Sequence, residues 1–259
     1  MKERTTFSLE LDNVSCSRDG ISGFMGVSLQ VGSRDSVVIC GRSGGGKSLL
    51  LEVCAGLVRP TGGRVLWNGI PLHTLARDSL FDARRAIGYL FQVHALISNL
   101  SLFENLALPL RYRGGMSQRE IELQVCHSME TCGLFSVGKC FPEALSAAQL
   151  RCAALARALV TSPALLMLDE PTAGVDPLTR HGIISVLKEV WSHRGVAMII
   201  VSNSSELVRE LSCSVLVAES GRVSPLEEEI RRAGNDISPQ LRTMKEAYEE
   251  GTIQRNCAG

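Results

Sequence analysis

A glycine-rich segment between an apolar run and a helical pattern constrains the fold more than any other feature of the sequence. The apolar run is Ser36–Cys40, and the helical pattern covers residues 47–57. The segment between them fits the spacing G-x-x-x-x-G-K-S and consists of Gly41, Arg42, Ser43, Gly44, Gly45, Gly46, Lys47 and Ser48. Glycines let several backbone N–H groups turn toward one anion, and the helix N-terminus adds its positive dipole end. The segment therefore predicts a cradle for a triphosphate, in which Lys47 reaches the β- and γ-phosphates and Ser48 binds Mg²⁺.

A second apolar run, at residues 164–168, ends in two acidic residues, Asp169 and Glu170. A buried parallel strand would carry both carboxylates to the edge of the sheet where ligands bind in open α/β folds. An Asp-Glu pair by itself is usually only a solvated strand end. Behind a phosphate loop, however, we expect Asp169 to hold Mg²⁺ through water and Glu170 to act as general base on the water that attacks ATP.

The overall composition narrows the range of partners. The 27 basic and 27 acidic residues cancel, and because a nucleic-acid-binding surface needs a clear basic excess, we expect no nucleic-acid partner. No run of 18 or more apolar residues occurs, so any membrane role must come through a partner. The nine cysteines contain no C-x-x-C pair and the five histidines have no ligand spacing, which favours reduced cysteines without a bound metal.

The order of the apolar patterns predicts an α/β fold. Short apolar strands that alternate with helices indicate a mainly parallel sheet of the RecA-like P-loop NTPase type, preceded by antiparallel strands at the N-terminus. Residues of about 93–159 have helical patterns, with a capping box at Ser117 and a helix cap at Ser146. We therefore expect one domain over residues 1–222 with an inserted α-helical subdomain, followed by a polar helical tail over residues 223–259.

Three further segments lie in a fixed order around these two motifs. Gln92 follows an apolar strand, residues 145–149 read LSAAQ, and Asp176 follows the acidic pair. With them, residues 7–223 resemble the ABC transporter ATPase family, which implies an ABC ATPase architecture. The resemblance implies that Gln92 contacts Mg²⁺ and the attacking water, and that Asp176 forms the D-loop. It also implies a signature that faces the nucleotide of a second subunit, formed by Ser146, Ala147, Ala148 and Gln149.

Two less specific stretches look most like the Mla/Mce-type lipid-transport ATPases: residues 90–96 followed by 103–110, and residues 13–18. Arg18 stands where many relatives have an aromatic residue that stacks on adenine, and its flat guanidinium group can also stack on a base. This resemblance implies a lipid or phospholipid cargo and a substrate-binding lipid protein as a further partner.

The sequence departs from the family pattern at two places that bear on the rate of hydrolysis. Ala147 and Ala148 replace the signature glycines and add methyl groups where two subunits approach closely. Asn203 replaces the switch histidine, so this position can donate a hydrogen bond to phosphate but cannot carry a positive charge. Loss of one such charge-stabilising group costs about 10²–10³ in rate. We therefore expect ATP binding with slow hydrolysis by the chain alone, or pairing with a second ATPase subunit that supplies a stronger signature.

Three functions remain open from the sequence. The leading hypothesis is a transport motor, in which a homo- or heterodimer of ATP-binding subunits drives an integral membrane permease from the cytoplasmic face of the cell membrane. A soluble ABC protein of DNA repair, cluster assembly or ribosome function would usually carry coiled-coil or zinc inserts or a tandem domain, and this sequence shows none. A non-transport ABC protein that acts as an ATP-binding conformational regulator, without turnover, is kept open by Ala147, Ala148 and Asn203.

Overall fold

The structure is a computed structural model that describes residues 7–18, 22–234 and 237–257. The strands, in chain order, are β1 (Ser8–Arg18), β2 (Ser22–Gly32), β3 (Ser36–Cys40), β4 (Gly62–Trp67), β5 (Ile70–Pro71), β6 (Ile87–Leu90), β7 (Leu165–Asp169), β8 (Ala197–Val201), β9 (Ser214–Glu219) and β10 (Arg222–Pro225). The α-helices are α1 (Lys47–Cys54), α2 (Arg77–Arg84), α3 (Leu102–Arg113), α4 (Gln118–Thr131), α5 (Ala147–Leu159), α6 (Pro177–Arg194), α7 (Ser205–Leu211), α8 (Leu226–Ala233) and α9 (Pro239–Cys257). The predicted α/β class is confirmed.

Six strands form the central sheet, in the order β10-β9-β3-β8-β7-β6. The strands from β9 to β6 are parallel to one another, whereas the edge strand β10 runs antiparallel to β9. Parallel strands that are covered on both faces consist of continuous apolar runs, and β3, β7 and β8 are buried at every residue. These three neighbouring strands end side by side, so the loops that follow them meet at one edge of the sheet.

A second sheet, with the order β2-β1-β4-β5, contains the predicted antiparallel strands of the N-terminus. Its buried side chains share a core with α1 and with one face of the central sheet. A tight turn at Asn68 and Gly69 joins β4 to β5, and both residues have positive φ, 49° and 78°. Trp67 Nε1 donates a hydrogen bond to the carbonyl oxygen of Cys54 at 3.1 Å. This bond ties the antiparallel sheet to the C-terminal end of α1.

The helical insert consists of α3, α4 and α5 and has its own core. Leu102, Leu106 and Val125 in this core have no exposed surface. The capping box predicted at Ser117 is present, and Ser146 forms a second capping box with Gln149. Side chains of α5 also belong to the core of the central sheet, which connects the insert to the strands.

The C-terminal segment contains the helices α8 and α9. Although the sequence suggested a polar tail, apolar side chains of both helices are buried in a core. Leu226 of α8 and Leu241, Met244 and Ala247 of α9 are buried in the same core as the central sheet. α8 begins at Leu226 with Pro225 as its N-cap. The Ser238 hydroxyl group caps α9 by accepting a hydrogen bond from the backbone N–H of Leu241 at 3.3 Å.

The sequence patterns missed four short elements, β5, α2, α7 and β10. β5 and β10 have only two and four residues. Such short segments lack a measurable periodicity, and β5 and β10 form only because each pairs with the strand before it across a tight turn.

Because β6 and α5 are in close contact at Gly88, the addition of one methyl group there should lower the stability of the folded protein. A Cβ atom at Gly88 would lie 2.1 Å from the backbone carbonyl oxygen of Ala158. Because neither backbone can yield without moving a whole element, we expect Gly88→Ala to lower the free energy of unfolding by about 1–3 kcal/mol. Urea denaturation followed by circular dichroism measures this change.

Gly182→Ala in α6 is the matched control, because a Cβ atom there meets nothing within 4 Å. Its expected effect is a stabilisation of about 0.5–1 kcal/mol from the higher helix propensity of alanine. Equal effects of the two substitutions would contradict the tight contact between β6 and α5.

Candidate nucleotide-binding site

The glycine-rich loop joins β3 to α1 at the edge where the parallel strands end. Gly41, Gly44 and Gly46 have φ values of 136°, 80° and 78°, in the region that favours glycine. A Cβ atom at Gly41 would lie 2.1 Å from the carbonyl oxygen of Ala218 in β9. The loop can therefore pass this close to the neighbouring strand only with glycine at position 41.

Lys47 lies at the start of α1 and is buried. Its Nζ donates hydrogen bonds to the carbonyl oxygens of Gly41 at 2.8 Å and Arg42 at 2.7 Å. Burial lowers the pKa of this ammonium group, while the nearby carboxylates of Glu170 and Asp169 act in the opposite direction. Phosphate oxygens would offer the ammonium group stronger, charge-assisted hydrogen bonds than these two carbonyl groups.

Asp169 is the last residue of β7 and is only 5% exposed. Burial raises the pKa of its carboxyl group, opposed by a hydrogen bond with Ser48 and by the charge of Lys47. Its Oδ1 is buried without a hydrogen-bond partner among the described residues. A carboxylate with a free buried oxygen beside a serine hydroxyl suits Mg²⁺, which prefers oxygen ligands and keeps several waters. The residues present therefore fit the predicted metal, with Ser48 and Asp169 as the groups that would hold it.

Glu170 follows Asp169 and has an unusual backbone conformation. Its φ is +50°, and its backbone N–H donates a hydrogen bond to the carbonyl oxygen of Val201 at 2.8 Å. A positive φ in a residue other than glycine is strained and is most often found at functional sites. Burial raises the pKa of the Glu170 carboxyl group, whereas Lys47 lowers it. A half-buried carboxylate with a raised pKa is a stronger base than a solvated one, which suits proton abstraction from water.

One cavity of about 250 Å³ is lined by half of the residues predicted for the site. Its lining includes Arg18, Ser43, Gly44, Gly46, Lys47, Ser48, Gln92, Asp169 and Glu170. Glu52 also lines this cavity and was not anticipated; it forms an ion pair with Arg18 at 2.7 Å. The pair holds the Arg18 guanidinium group at the cavity wall, and its stacking on a base stays a prediction.

Asn203 connects the loop to the segment after β8. Its Oδ1 accepts a hydrogen bond from the backbone N–H of Gly41 at 3.0 Å. Asn203 also lines a second cavity, of about 410 Å³, and Glu170 lines both cavities. The predicted switch residue and the predicted base therefore border the same space.

The signature residues lie apart from the phosphate-loop cavity. Ser146 is the N-cap of α5 and exchanges hydrogen bonds with Gln149, with Ala147 and Ala148 in the first turn between them. These residues are absent from the described lining of the cavity that holds Lys47, and Ala148 and Gln149 instead line a separate cavity of about 340 Å³. Their predicted contact with nucleotide is therefore not made within this one chain.

Asp176 has a local structural role in addition to its predicted D-loop role. It is the N-cap of α6, and its carboxylate accepts hydrogen bonds from the backbone N–H groups of Leu178 and Thr179 and from the Thr179 hydroxyl group. The bonds from Thr179 lower the pKa of Asp176. The carboxylate is therefore ionised and fixed in orientation at the start of the helix.

Two arginines of α5 were missed by the sequence analysis. Arg151 donates to the carbonyl oxygens of Phe91 at 3.3 Å and Gln92 at 3.2 Å. Arg157 donates to the carbonyl oxygens of His94 at 3.1 Å and of Ala95. These contacts join the signature helix to the segment that carries Gln92. The available signal was the presence of two arginines in an otherwise apolar helix, of which Arg151 is 5% exposed.

The raised pKa of Asp169 predicts that the protein without nucleotide is more stable when this carboxyl group is made neutral. When the pKa of a carboxyl group is higher in the folded state than its unfolded value of about 3.9, protonation stabilises the folded state. This contribution is fully present at a pH below the unfolded pKa, and it is lost as the pH rises through the folded-state pKa. We expect Asp169→Asn to raise Tm without nucleotide, and to raise it more at pH 7 than at about pH 4.5. Thermal melts at the two pH values measure this.

The same melts with MgATP provide the functional half of this test. MgATP should raise Tm of the unaltered protein and raise it much less in Asp169→Asn. Asp82→Asn, at a side chain that is 67% exposed, should behave like the unaltered protein. A lower Tm of Asp169→Asn at pH 7 without nucleotide would contradict the proposed cost of burying this charge.

Comparison with known proteins identifies the family. Residues 24–173 match the family model described as ABC transporter. The methionine import ATP-binding protein MetN of Corynebacterium jeikeium is 34% identical over 242 residues, which are 90% of this chain and 66% of that protein. MetN of Cupriavidus pinatubonensis is 36% identical over 219 residues, 83% of this chain and 63% of that protein. The chain thus spans no more than about two thirds of the length of these relatives.

Solved structures agree with this match. The dimeric ATP-binding cassette MJ0796, in a post-hydrolysis state bound to ADP and Pi, superposes on this chain with a TM-score of 0.77 at 30% identity. The superposed residues cover 83% of this chain and 96% of the MJ0796 chain. The cbiO1 protein of Clostridium perfringens, part of the ABC transporter complex cbiONQ, has a TM-score of 0.73 at 25% identity and covers 92% of this chain. The resemblance seen in the motifs is therefore confirmed at the level of the family: the chain belongs to the ABC transporter family, as an ATP-binding domain.

Proposed function

We propose that this chain binds MgATP and hydrolyses it as the ATP-binding subunit of an ABC transporter. The observation that carries the proposal is the convergence of Lys47, Ser48, Asp169 and Glu170 on one cavity of about 250 Å³. An anion cradle, a hard-cation site and a buried base are the three parts that phosphoryl transfer to water requires.

The proposed roles follow from the geometry of the residues. Lys47 and the loop N–H groups bind the β- and γ-phosphates. Ser48 and Asp169 would hold Mg²⁺, which would supply positive charge against the triphosphate. Gln92 orients the attacking water from the wall of the same cavity. A carboxylate oxygen of Glu170 accepts a proton from that water. The water oxygen attacks the γ-phosphorus, and the bond between the γ-phosphorus and the ADP oxygen breaks.

The position of the signature supports a dimer. Ser146, Ala147, Ala148 and Gln149 have no contact with the phosphate-loop cavity of their own chain, so a second subunit would have to present its signature to complete the site. The structural neighbour MJ0796 is described as dimeric. Homo- and heterodimers are both compatible with this arrangement.

A membrane permease is the proposed third component. Within residues 7–18, 22–234 and 237–257, no helix is both long and apolar enough to cross a membrane. The hydrogen bonds from Arg151 to the backbone at Phe91 and Gln92 offer a route by which the nucleotide could move the helical insert. Exposed apolar side chains at Val93, Ile97 and Leu108 give this part of the insert a surface that suits a partner.

The cargo proposed from the relatives differs from the one expected from the sequence. The curated relatives found are named for methionine import, which favours an amino acid over a lipid and gives no support to a substrate-binding lipid protein. Because this chain spans only about two thirds of those relatives, the cargo needs its own test. Proteoliposomes that hold the chain with its permease should take up labelled methionine on addition of MgATP. Movement of labelled phospholipid instead would restore the lipid hypothesis.

Glu170→Gln separates ATP binding from hydrolysis. The amide keeps the shape of the side chain but cannot accept a proton, so we expect turnover to fall by about 10²–10⁴ while MgATP still binds. Phosphate release and equilibrium binding of a fluorescent ATP analogue measure the two effects. Glu210→Gln, which changes a carboxylate paired with Lys188, should leave both unchanged. Full turnover by Glu170→Gln would exclude it as the base.

The altered signature and switch predict slow hydrolysis that can be improved. We expect the chain alone to hydrolyse ATP well below the common enzymatic rate of about 10 per second. Asn203→His should raise the single-turnover rate by about tenfold or more, because an imidazolium can stabilise the charge that develops on phosphate. Fast turnover by the unaltered chain without a partner would contradict the hypothesis of slow hydrolysis by the chain alone.

Tight binding of ATP with no turnover in any variant would instead favour the alternative function, a non-transport ABC protein that acts as a conformational regulator.

A further inference from the structure

The C-terminal helix α9 reaches the predicted switch residue. Gln240 is the second residue of α9, and its Nε2 donates a hydrogen bond to Asn203 Oδ1 at 2.7 Å. The two residues are 37 positions apart in the chain. A segment that the sequence suggested to be a separate polar tail therefore contacts the nucleotide-binding domain at a residue predicted to take part in hydrolysis.

The Asn203 carboxamide group is oriented by two donors rather than one. Its Oδ1 accepts from the backbone N–H of Gly41 at 3.0 Å as well as from Gln240. A carboxamide oxygen has two lone pairs, and both are used here. Because a backbone N–H can only donate, the bond from Gly41 fixes which end of the Asn203 amide is oxygen. With the amide rotated by 180°, its NH₂ group would face the Gly41 N–H, which is a donor.

This orientation decides what Asn203 can offer to phosphate. With Oδ1 held by Gly41 and Gln240, the Nδ2 group is the part of the side chain that remains for another ligand, and it can only donate. Asn203 and Glu170 line the same cavity of about 410 Å³. A donor is the group that a γ-phosphate oxygen requires at this place.

The position of Gln240 is set by strong anchoring of the helix that carries it. Leu241 and Met244 are 8% and 1% exposed and belong to the main core. Further along α9, the carbonyl oxygen of Gly251 accepts a hydrogen bond from the Ser212 hydroxyl group at 3.0 Å, and Glu250 pairs with Arg209 at 2.5 Å. Arg209 lies in α7, the helix that begins two residues after Asn203. The helix α9 is thus attached along the length of α7, while Gln240 itself is exposed.

We propose that Gln240 is a positioning residue for ATP hydrolysis, which holds the Asn203 amide with its NH₂ group available to the γ-phosphate. The proposal rests on the proposed hydrolysis function of the site. Gln240 is not among the residues that line the two cavities of the site, and its contact with the site is the hydrogen bond to Asn203, so it would act through Asn203. The C-terminal helix is then a working part of the ATPase unit, because it supplies one of the two donors that orient the switch residue.

Gln240→Ala tests this role in single-turnover hydrolysis of labelled ATP, with the full chain in excess over nucleotide. Loss of one of two orienting hydrogen bonds should lower the rate of phosphate release by about 3–10-fold. The affinity for MgATP should change less than twofold, because the phosphate loop is untouched. Gln240→Glu should be slower still, since a carboxylate can only accept and favours the rotated Asn203 amide. Thr243→Ala is the matched control on the same helix, because the Thr243 hydroxyl group donates to the carbonyl oxygen of Pro239 in its own helix.

A double-mutant cycle separates positioning from a general effect on the fold. In an Asn203→Ala background, Gln240→Ala should cause no further loss of rate, because its target is gone. An equal loss in both backgrounds, or an unchanged rate of Gln240→Ala in the native background, would overturn the proposal. Absence of any hydrolysis by the unaltered chain would instead contradict the proposed function itself, so the two failures are distinguishable. Tm values measured for each variant check that α9 stays folded.

Discussion

The parallel register of three central strands is the constraint on which the rest of the site depends. β3, β8 and β7 lie side by side, with Ile39 opposite Val201 and Val201 opposite Asp169. The register continues beyond the strands, because the N–H of Ser202 donates to the carbonyl oxygen of Ile39 and the N–H of Glu170 to that of Val201. The phosphate loop, the acidic pair and Asn203 are therefore brought together by backbone hydrogen bonds.

Burial of the charged groups at this edge costs free energy, and the attraction between opposite charges offsets part of that cost. Burial disfavours the ionised forms of Lys47, Asp169 and Glu170, and the attraction between the ammonium group and the carboxylates opposes that effect for all three. Among the described residues, Asp169 Oδ1 has no hydrogen-bond partner, and Glu170 has a left-handed backbone. Both features indicate that the site is arranged for binding and catalysis rather than for stability. A triphosphate with Mg²⁺ would supply both the missing negative charge near Lys47 and the missing cation near Asp169.

The parts of the structure that are local in sequence could be predicted from it. The phosphate loop, the buried strands beside it, and the caps at Ser117 and Ser146 each depend on residues a few positions apart. The contacts of Arg151 with the backbone near Gln92, and of Gln240 with Asn203, join segments 59 and 37 residues apart and leave no periodic signal. The apolar side chains of α9 were also overlooked, because they are few and are spread along a charged helix. The cargo was the least predictable feature, since it depends on a partner whose contacts are not encoded in the nucleotide-binding motifs.

The whole site depends on binding of a triphosphate by the N–H groups of residues 41–48 and the Lys47 ammonium group. Isothermal titration calorimetry with MgATP measures this binding without requiring turnover, a dimer or a permease. We expect saturable binding by the unaltered chain and a loss of affinity of at least about 100-fold in Lys47→Ala, equivalent to about 2.8 kcal/mol. Lys188→Ala, which removes an exposed ammonium group from α6, should bind like the unaltered chain. Equal affinity of Lys47→Ala and the unaltered chain would show that this loop is not the triphosphate site.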